Sequence, residues 1–246
     1  MSVQVRTLIF RCAVFLQAFK KSINEKLASH SDFACDLHKA ISELLHETET
    51  ELLNDNDVNS DFSGCTLVLA VIRKYHVTVA NVGDSRVSVV TRKGKGVYIC
   101  TSITEDHKPE LPSEKARILE AGGRVFPVKY PDGHIGPERV WLKDVDAPGL
   151  CMTRSLGDRV VHTVGVISTP EFFEYDLCPR TDCALIVATD GLWSVTPDKD
   201  AAAQCMSVRE PSSAVGMMLR ESHKRWVTAG DSIDDTTICV AYLDAR

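Results

Sequence analysis

This sequence predicts an α+β fold, a β-sheet body flanked by helices. Three observations lead there. Short β-branched runs follow one another from Cys65 onward (CTLVLAVIR, HVTVANV, SRVSVVTR, GVYICTSI), broken by the turn-like stretches RKYH, GD and RKGKG. Helical periodicity precedes them and returns toward the C-terminus, before a last strand-like run, TTICVAYLD. The composition supplies a core: 44% of the 246 residues are hydrophobic and 25% charged, which excludes a disordered chain. That length fits one large domain or two small ones.

The elements can be justified in order. Leu8, Cys12, Phe15, Leu16, Phe19, Ile23 and Leu27 recur at steps of three and four, with Lys20, Lys21, Glu25 and Lys26 between them. This pattern predicts an amphipathic helix over residues 8–27. A signal peptide is the competing reading of Arg6 and the apolar stretch behind it, but Arg11 interrupts that stretch and no clear small-x-small cleavage site follows. No segment reaches the ~18 apolar residues of a membrane span. Leu37, Ile41, Leu44, Leu45, Thr48 and Leu52 predict a second helix within residues 33–53, joined to the first as an αα-hairpin through Ser29 to Asp32. The Asn-, Asp- and Ser-rich residues 54–64 form a loop, and the β-branched runs after it read as one antiparallel meander. Ser113 to Gly123 is a short helix with a capping serine and a stopping glycine pair. Residues 124–150 make a polar excursion bearing Pro and Gly, and CALIVATDG is a buried strand ending in an acid. Residues 199–208 and 211–227 are helices, the second ending near Gly230.

Charge narrows the function classes. With 28 basic against 34 acidic residues the net charge is −6, without the basic footprint of a dedicated nucleic-acid binder. The nine cysteines contain no C-x-x-C, so neither a zinc knuckle nor a disulfide framework is indicated. They read as small buried hydrophobes in a reducing compartment, which places the chain in the cytoplasm or nucleus.

Aspartates stand at strand ends. Asp190 closes ALIVAT, and Asp234 with Asp235 opens TTICV. If these two strands are antiparallel neighbours, Asp190 and Asp234 meet at one edge of a sheet. Two carboxylates ~4 Å apart repel by about 4 kcal/mol at an effective dielectric of 20, so such a pair takes up a proton or a cation. Oxygen ligands favour Mg²⁺, Mn²⁺ or Ca²⁺ over zinc. Gly191 would let backbone or water approach closely. An aspartate at a strand end is also a common turn or cap residue, and the pattern alone leaves both readings open.

The wording of the chain goes further. In order it carries SGCTLVLAVI, VANVGDSR, TEDHKPELPSEKARILEAGGRV, GPERVWLKDVDAPGLCMTRSLGD, VGVISTPEF, LIVATDGLWSV and DDTTICV. This series resembles the protein phosphatase 2C family of metal-dependent serine/threonine phosphatases over residues 63–243, and residues 8–53 resemble the family's helical pair. The resemblance implies an αββα sandwich, two antiparallel β-sheets packed face to face with helices outside. It also implies a binuclear Mg²⁺ or Mn²⁺ centre at one edge, where a metal-bridging water attacks phosphoserine or phosphothreonine of protein substrates. On matching positions Asp190 and Asp234 resemble metal aspartates, and Asp106 resembles the ligand of a weaker additional metal. Gly191, Asp84 and Asp158 frame the site. Arg139 and Arg154 could steer the anionic substrate, with a structural salt bridge as the competing reading of each. Trp141 and Trp193 read as packing residues, and His107 as a turn residue.

The chain also departs from that pattern. The family's early R-x-x-M-E-D segment and its D-G-H-G-G, whose Asp bridges both metals, do not occur before the helices. Asp132-Gly133-His134 stands far from that position and reads as a turn. Ser194 stands where the family often has Asp. The sequence therefore predicts a single domain over 1–246, N-terminally incomplete, with a helical pair at 8–53 and a sheet core, flap and C-terminal helices at 63–246. Its sheets would be completed by an upstream segment or a partner. Weak or single-ion binding and poor turnover are expected, and a catalytically impaired module that binds phosphoproteins or partners is the alternative to the enzyme.

Overall fold

The computed structural model describes residues 5–11, 23–130, 133–230 and 232–243. Two four-stranded antiparallel sheets form the body. The first has β1 (Val5–Arg11), β3 (Leu67–Arg73), β4 (His76–Val82) and β11 (Glu171–Asp176), in that order across the sheet. The second runs β13 (Ile238–Tyr242), β12 (Asp182–Ala188), β5 (Arg86–Gly94) and β6 (Val97–Ser102). Both faces of β3 are buried, so its sequence LVLAVIR is continuously apolar rather than alternating. One face, with Val68, Ala70, Ile72, Val77 and Val79, packs against Val87, Val89, Leu185 and Val187 of the second sheet.

Helices cover the outer faces. Leu67, Leu69 and Val71 pack under α1 (Ile23–Ser29) and α2 (Leu37–Leu53) through Ile23, Leu27, Ile41, Leu44, Leu45 and Leu52. Ala184, Ile186, Ala188 and Val240 pack under α6 (Asp198–Met206) and α7 (Pro211–Ala229) through Ala201, Ala202, Cys205, Ala214 and Met218. The layers are thus helix, sheet, sheet, helix, as the resemblance implies. A smaller sheet of β7 (Arg124–Lys129), β8 (Ile135–Trp141) and β9 (Pro148–Leu150) stands beside them as a flap, and β2 (Gly64–Cys65) pairs with β10 (Leu156–Gly157). The remaining helices are α3 (Pro112–Glu120), α4 (Arg159–His162) and α5 (Asp190–Trp193). No helix among the described residues is long and apolar enough to cross a membrane.

Three local expectations are corrected. Residues 8–11, read as the start of a helix, belong to a strand: β1 pairs antiparallel with β3 from Val5↔Arg73 to Arg11↔Leu67. Pairing with the long edge of β3 satisfies a full backbone ladder, which outweighs the period of the local sequence. Of the expected helix, residues 23–29 form one and residues 12–22 lie outside the described residues. The meander is two hairpins in two sheets, β3–β4 in one and β5–β6 in the other. The Gly83–Asp84 turn crosses between them, because strands buried on both faces pack face to face rather than side by side. In α3 the first residue is Pro112 and Leu111 precedes it without a side-chain cap, so Ser113 caps nothing. Proline suits that first position, where its missing N–H costs no bond. The stop is as expected, with Gly122 at φ +85° and the Gly123 N–H donating to Ile118 O at 2.9 Å.

Leu185 lies fully buried in the layer between the two sheets. Leu185→Ala should cost ~2–5 kcal/mol in urea denaturation. A loss under ~1 kcal/mol would mean that the sheets are not closely packed there.

A candidate metal and phosphate site at one rim of the sandwich

The ends of β12 and β13 meet as antiparallel neighbours, with Ala188 opposite Ile238. Beyond them the chain is latched by Thr189. Its N–H donates to Thr237 O at 3.1 Å, and its hydroxyl donates to Asp235 O at 3.1 Å and accepts from the Thr237 N–H at 3.0 Å. This holds residues 234–237 against the start of α5. A methyl group on Gly191 would lie 2.5 Å from Asp235 O, so the close approach requires glycine. The Trp226 indole N–H donates to Gly191 O at 2.8 Å from behind. The result is a cavity of about 270 Å³ whose lining includes Asp84, Asp190, Asp234, Asp235 and Arg139.

Asp84 enters this cavity from the turn that crosses between the sheets. Gly83 takes φ +105°, and a Cβ there would meet Thr66 Cγ2 at 2.3 Å. His107 clamps the turn. Its backbone N–H donates to Gly83 O at 3.1 Å, and its Nδ1 accepts from the Gly83 N–H at 3.1 Å. That bond leaves the proton on Nε2, 2.9 Å from Glu171 Oε2. His107 is fully buried in that turn and is absent from the cavity lining. Asp84 itself is 2% exposed, and its Oδ2 is buried without a hydrogen bond. Lys108 Nζ lies 3.9 Å from that oxygen, too far to donate.

Burial, and then the charge of Asp190, push the Asp84 carboxyl up to about 7, against the pull of Lys108. Burial and then Asp234 push Asp190 up to about 6. The flap supplies the opposite sign. Arg139 on β8 donates from Nη1 to Gly149 O at 2.7 Å, while its Nε is buried with no partner. Carboxylates and a guanidinium thus line one cavity. Oxygen donors crowded by like charge suit a hard divalent cation, and the guanidinium suits a phosphoryl oxygen. The sequence missed Thr189 as the latch and read Asp84 only as framing, because a hydroxyl's partners and a turn's burial follow from tertiary packing.

Asp106 lies close enough for its charge to help raise Asp84 and Asp190, but it does not line the cavity. Both oxygens of Asp106 are held by Arg86, at 3.0 and 2.8 Å, an ion pair that competes with any metal for them. Asp158 is buried behind the cavity wall at φ 49°, with its Oδ2 where a Cβ on Gly64 would stand, so it frames the site from behind. Arg154 is bound to Glu114 through Nη2 at 2.8 Å, the salt-bridge reading of that residue, and is absent from the cavity lining. Although burial pushes Glu114 upward, bonds from Arg117, Arg154 and Thr153 hold it well below the usual carboxylate range. Trp141 and Trp193 are packed, each 8% exposed. Gly133 and His134 are exposed at the β7–β8 turn, where the Tyr130 N–H donates to His134 O at 2.9 Å; Asp132 lies outside the described residues.

A family model described as protein phosphatase 2C matches residues 11–226. A probable protein phosphatase 2C 73 of Oryza sativa subsp. japonica is 36% identical over 199 residues, covering 80% of this chain and 46% of that protein. A probable protein phosphatase 2C 73 of Arabidopsis thaliana is 32% identical over 197 residues, covering 79% and 52%. The chain thus spans about half the length of the curated relatives it matches. Among solved structures, a serine-threonine phosphatase 2C from Toxoplasma gondii superposes with a TM-score of 0.78 at 19% identity, over 98% of this chain and 84% of that one. A C. elegans sex determining protein gives 0.71 at 20% identity, over 98% and 56%. At these identities the structural matches speak for the fold alone.

The raised carboxyls set a pH dependence. Asp84 and Asp190 titrate above their ordinary 3.8 in the folded chain, to about 7 and about 6. The folded state therefore binds more protons than the unfolded one across that window, and stability falls as pH rises through it. In chelator, the urea midpoint should drop from pH 5 to pH 7, and Asp84→Asn should make the drop smaller. An unchanged drop in the variant would show that Asp84 is not the strained acid.

Proposed function

The chain belongs to the protein phosphatase 2C family, and on that premise we propose that its carboxylate-lined cavity binds Mg²⁺ or Mn²⁺ and hydrolyses phosphoserine and phosphothreonine in proteins. The observation that carries this reading is a cavity lined both by carboxylates, those of Asp84, Asp190, Asp234 and Asp235, and by the guanidinium of Arg139. A divalent cation answers the first and a phosphate monoester the second.

The residues divide the work. Asp190 and Asp234 would hold the cation, and Asp84 behind them would present its free oxygen to the cation or to water bound on it. When bound, the cation supplies an acidified water and neutralises phosphoryl oxygens. Arg139 would fix the phosphoryl group, its guanidinium already oriented by the bond to Gly149 O. The Thr189 latch and Gly191 keep residues 234–237 in place, so the acids are set before substrate arrives. Asp106 and Arg154, tied into ion pairs with Arg86 and Glu114, act through the frame rather than on the substrate.

One observation favours a second reading, a module that binds phosphoproteins without turnover. Among the described residues, no three His, Cys, Asp or Glu ligand atoms at this rim lie within 4.8 Å of one another. The acids form a loose set, and the sequence carries no D-G-H-G-G to tighten it.

A phosphothreonine peptide separates these readings. Phosphate release that needs Mn²⁺, stops with chelator, and is lost in Asp190→Asn and Asp234→Asn supports hydrolysis. Arg139→Ala should raise KM by roughly tenfold or more, the loss of one charge-assisted contact. Mn²⁺-dependent peptide binding without phosphate release supports the second reading, and absence of both overturns the site.

A further inference from the structure

A second and larger cleft, about 330 Å³, opens at the other end of β12. It meets that strand at Asp182 and Cys183, whereas the carboxylate cavity meets the chain at Thr189 and Asp190. At ~3.3 Å per residue the two lie roughly 20 Å apart along the strand.

Three arginines border this cleft: Arg92 near the end of β5, Arg180 before β12 and Arg209 between α6 and α7. All three are exposed. Among the described residues none of them has a carboxylate within ion-pair distance, as is also true of Arg73, Arg139 and Arg220, whereas Arg86, Arg117, Arg124, Arg154, Arg159 and Arg225 each have one. Among the described residues, these three arginines give the cleft a positive border, offset in part by Glu210, whose charge reaches Tyr242. The cleft does contain Asp182, but that residue is 4% exposed and its oxygens are taken. Oδ1 accepts from the Thr91 hydroxyl at 3.0 Å, and Oδ2 from the Cys178 N–H at 2.8 Å and the Tyr175 hydroxyl at 3.2 Å.

The rest of the lining includes Met206, Val208, Leu243 and Tyr242. The walls are pinned. Arg92 donates from its N–H to Thr181 O at 2.7 Å and from Nη2 to Arg180 O at 3.0 Å. The Tyr242 hydroxyl lies 2.6 Å from Cys205 O and 2.9 Å from Val208 O. The cleft is therefore built before any ligand arrives.

We propose that this cleft docks an acidic peptide segment of a partner protein, with carboxylates on Arg92, Arg180 and Arg209 and an apolar side chain against the apolar residues of the lining. A lining that mixes arginines with apolar side chains fits a chain with alternating groups better than a compact anion. Tyr242 ends β13, which pairs only with β12 among the described residues and so offers a free edge to an extended peptide. The assignment does not rest on catalysis in the other cavity.

The test is fluorescence anisotropy of a fluorescein-labelled peptide of repeating Glu-Glu-Leu against the full chain. Saturable binding is expected that weakens with salt and falls by about tenfold or more in the double variant Arg180→Glu with Arg209→Glu. Matching thermal melts would show that this variant is folded. Arg139→Ala should bind as the unchanged chain does, which separates this cleft from the phosphate site. No saturable binding, equal affinity in the double variant, or equal affinity for a Gln-Gln-Leu peptide would overturn the proposal. So would arginine-dependent binding of ATP or inorganic phosphate alone, without the peptide.

Discussion

Crowding of desolvated carboxylates at one rim of the sandwich is the constraint on which the rest turns. Asp84 and Asp190 are raised by burial first and by neighbouring acids second. Their repulsion is unfavourable for the empty chain, so the surrounding structure must hold them against it. The layer between the sheets does this, anchoring both β12 and the β4–β5 turn that carry the two acids. Thr189 and Gly191 complete the arrangement by locking the Asp234 segment to the end of β12.

Support for this rim also comes from ion pairs beside it. Asp106 is satisfied by Arg86 and Glu114 by Arg117 and Arg154, so these charges are neutralised within the frame. Another acid resembles the rim carboxylates. Glu49 of α2 accepts from the Gly157 N–H at 3.0 Å, and burial pushes its carboxyl up to about 7. It ties the helical layer to the turn bearing Asp158, behind the cavity wall.

Much of this was legible in the sequence, because strand runs and aspartates at strand ends are local features. ALIVAT followed by Asp190, and Asp234 followed by TTICV, were enough to place two acids at one edge once the strands were taken as neighbours. What the sequence hid depends on pairing across distance. Residues 8–11 carry a helical spacing but are held as a strand by the open edge of β3. The β-branched runs from Cys65 do not say that the chain changes sheets at Gly83, and so do not say that Asp84 is buried at the rim. Arg139 and Arg154 look alike in sequence. The frame takes up Arg154 with Glu114, whereas Arg139 of the flap lines the cavity with the acids.

The central claim is that these carboxylates share a hard divalent cation. Anomalous diffraction from crystals grown with Mn²⁺, recorded on both sides of the manganese absorption edge, tests it most directly. The account predicts an edge-dependent peak in the rim cavity, in contact with oxygens of Asp190 and Asp234. A cavity without such a peak, or manganese bound only elsewhere on the chain, would contradict it.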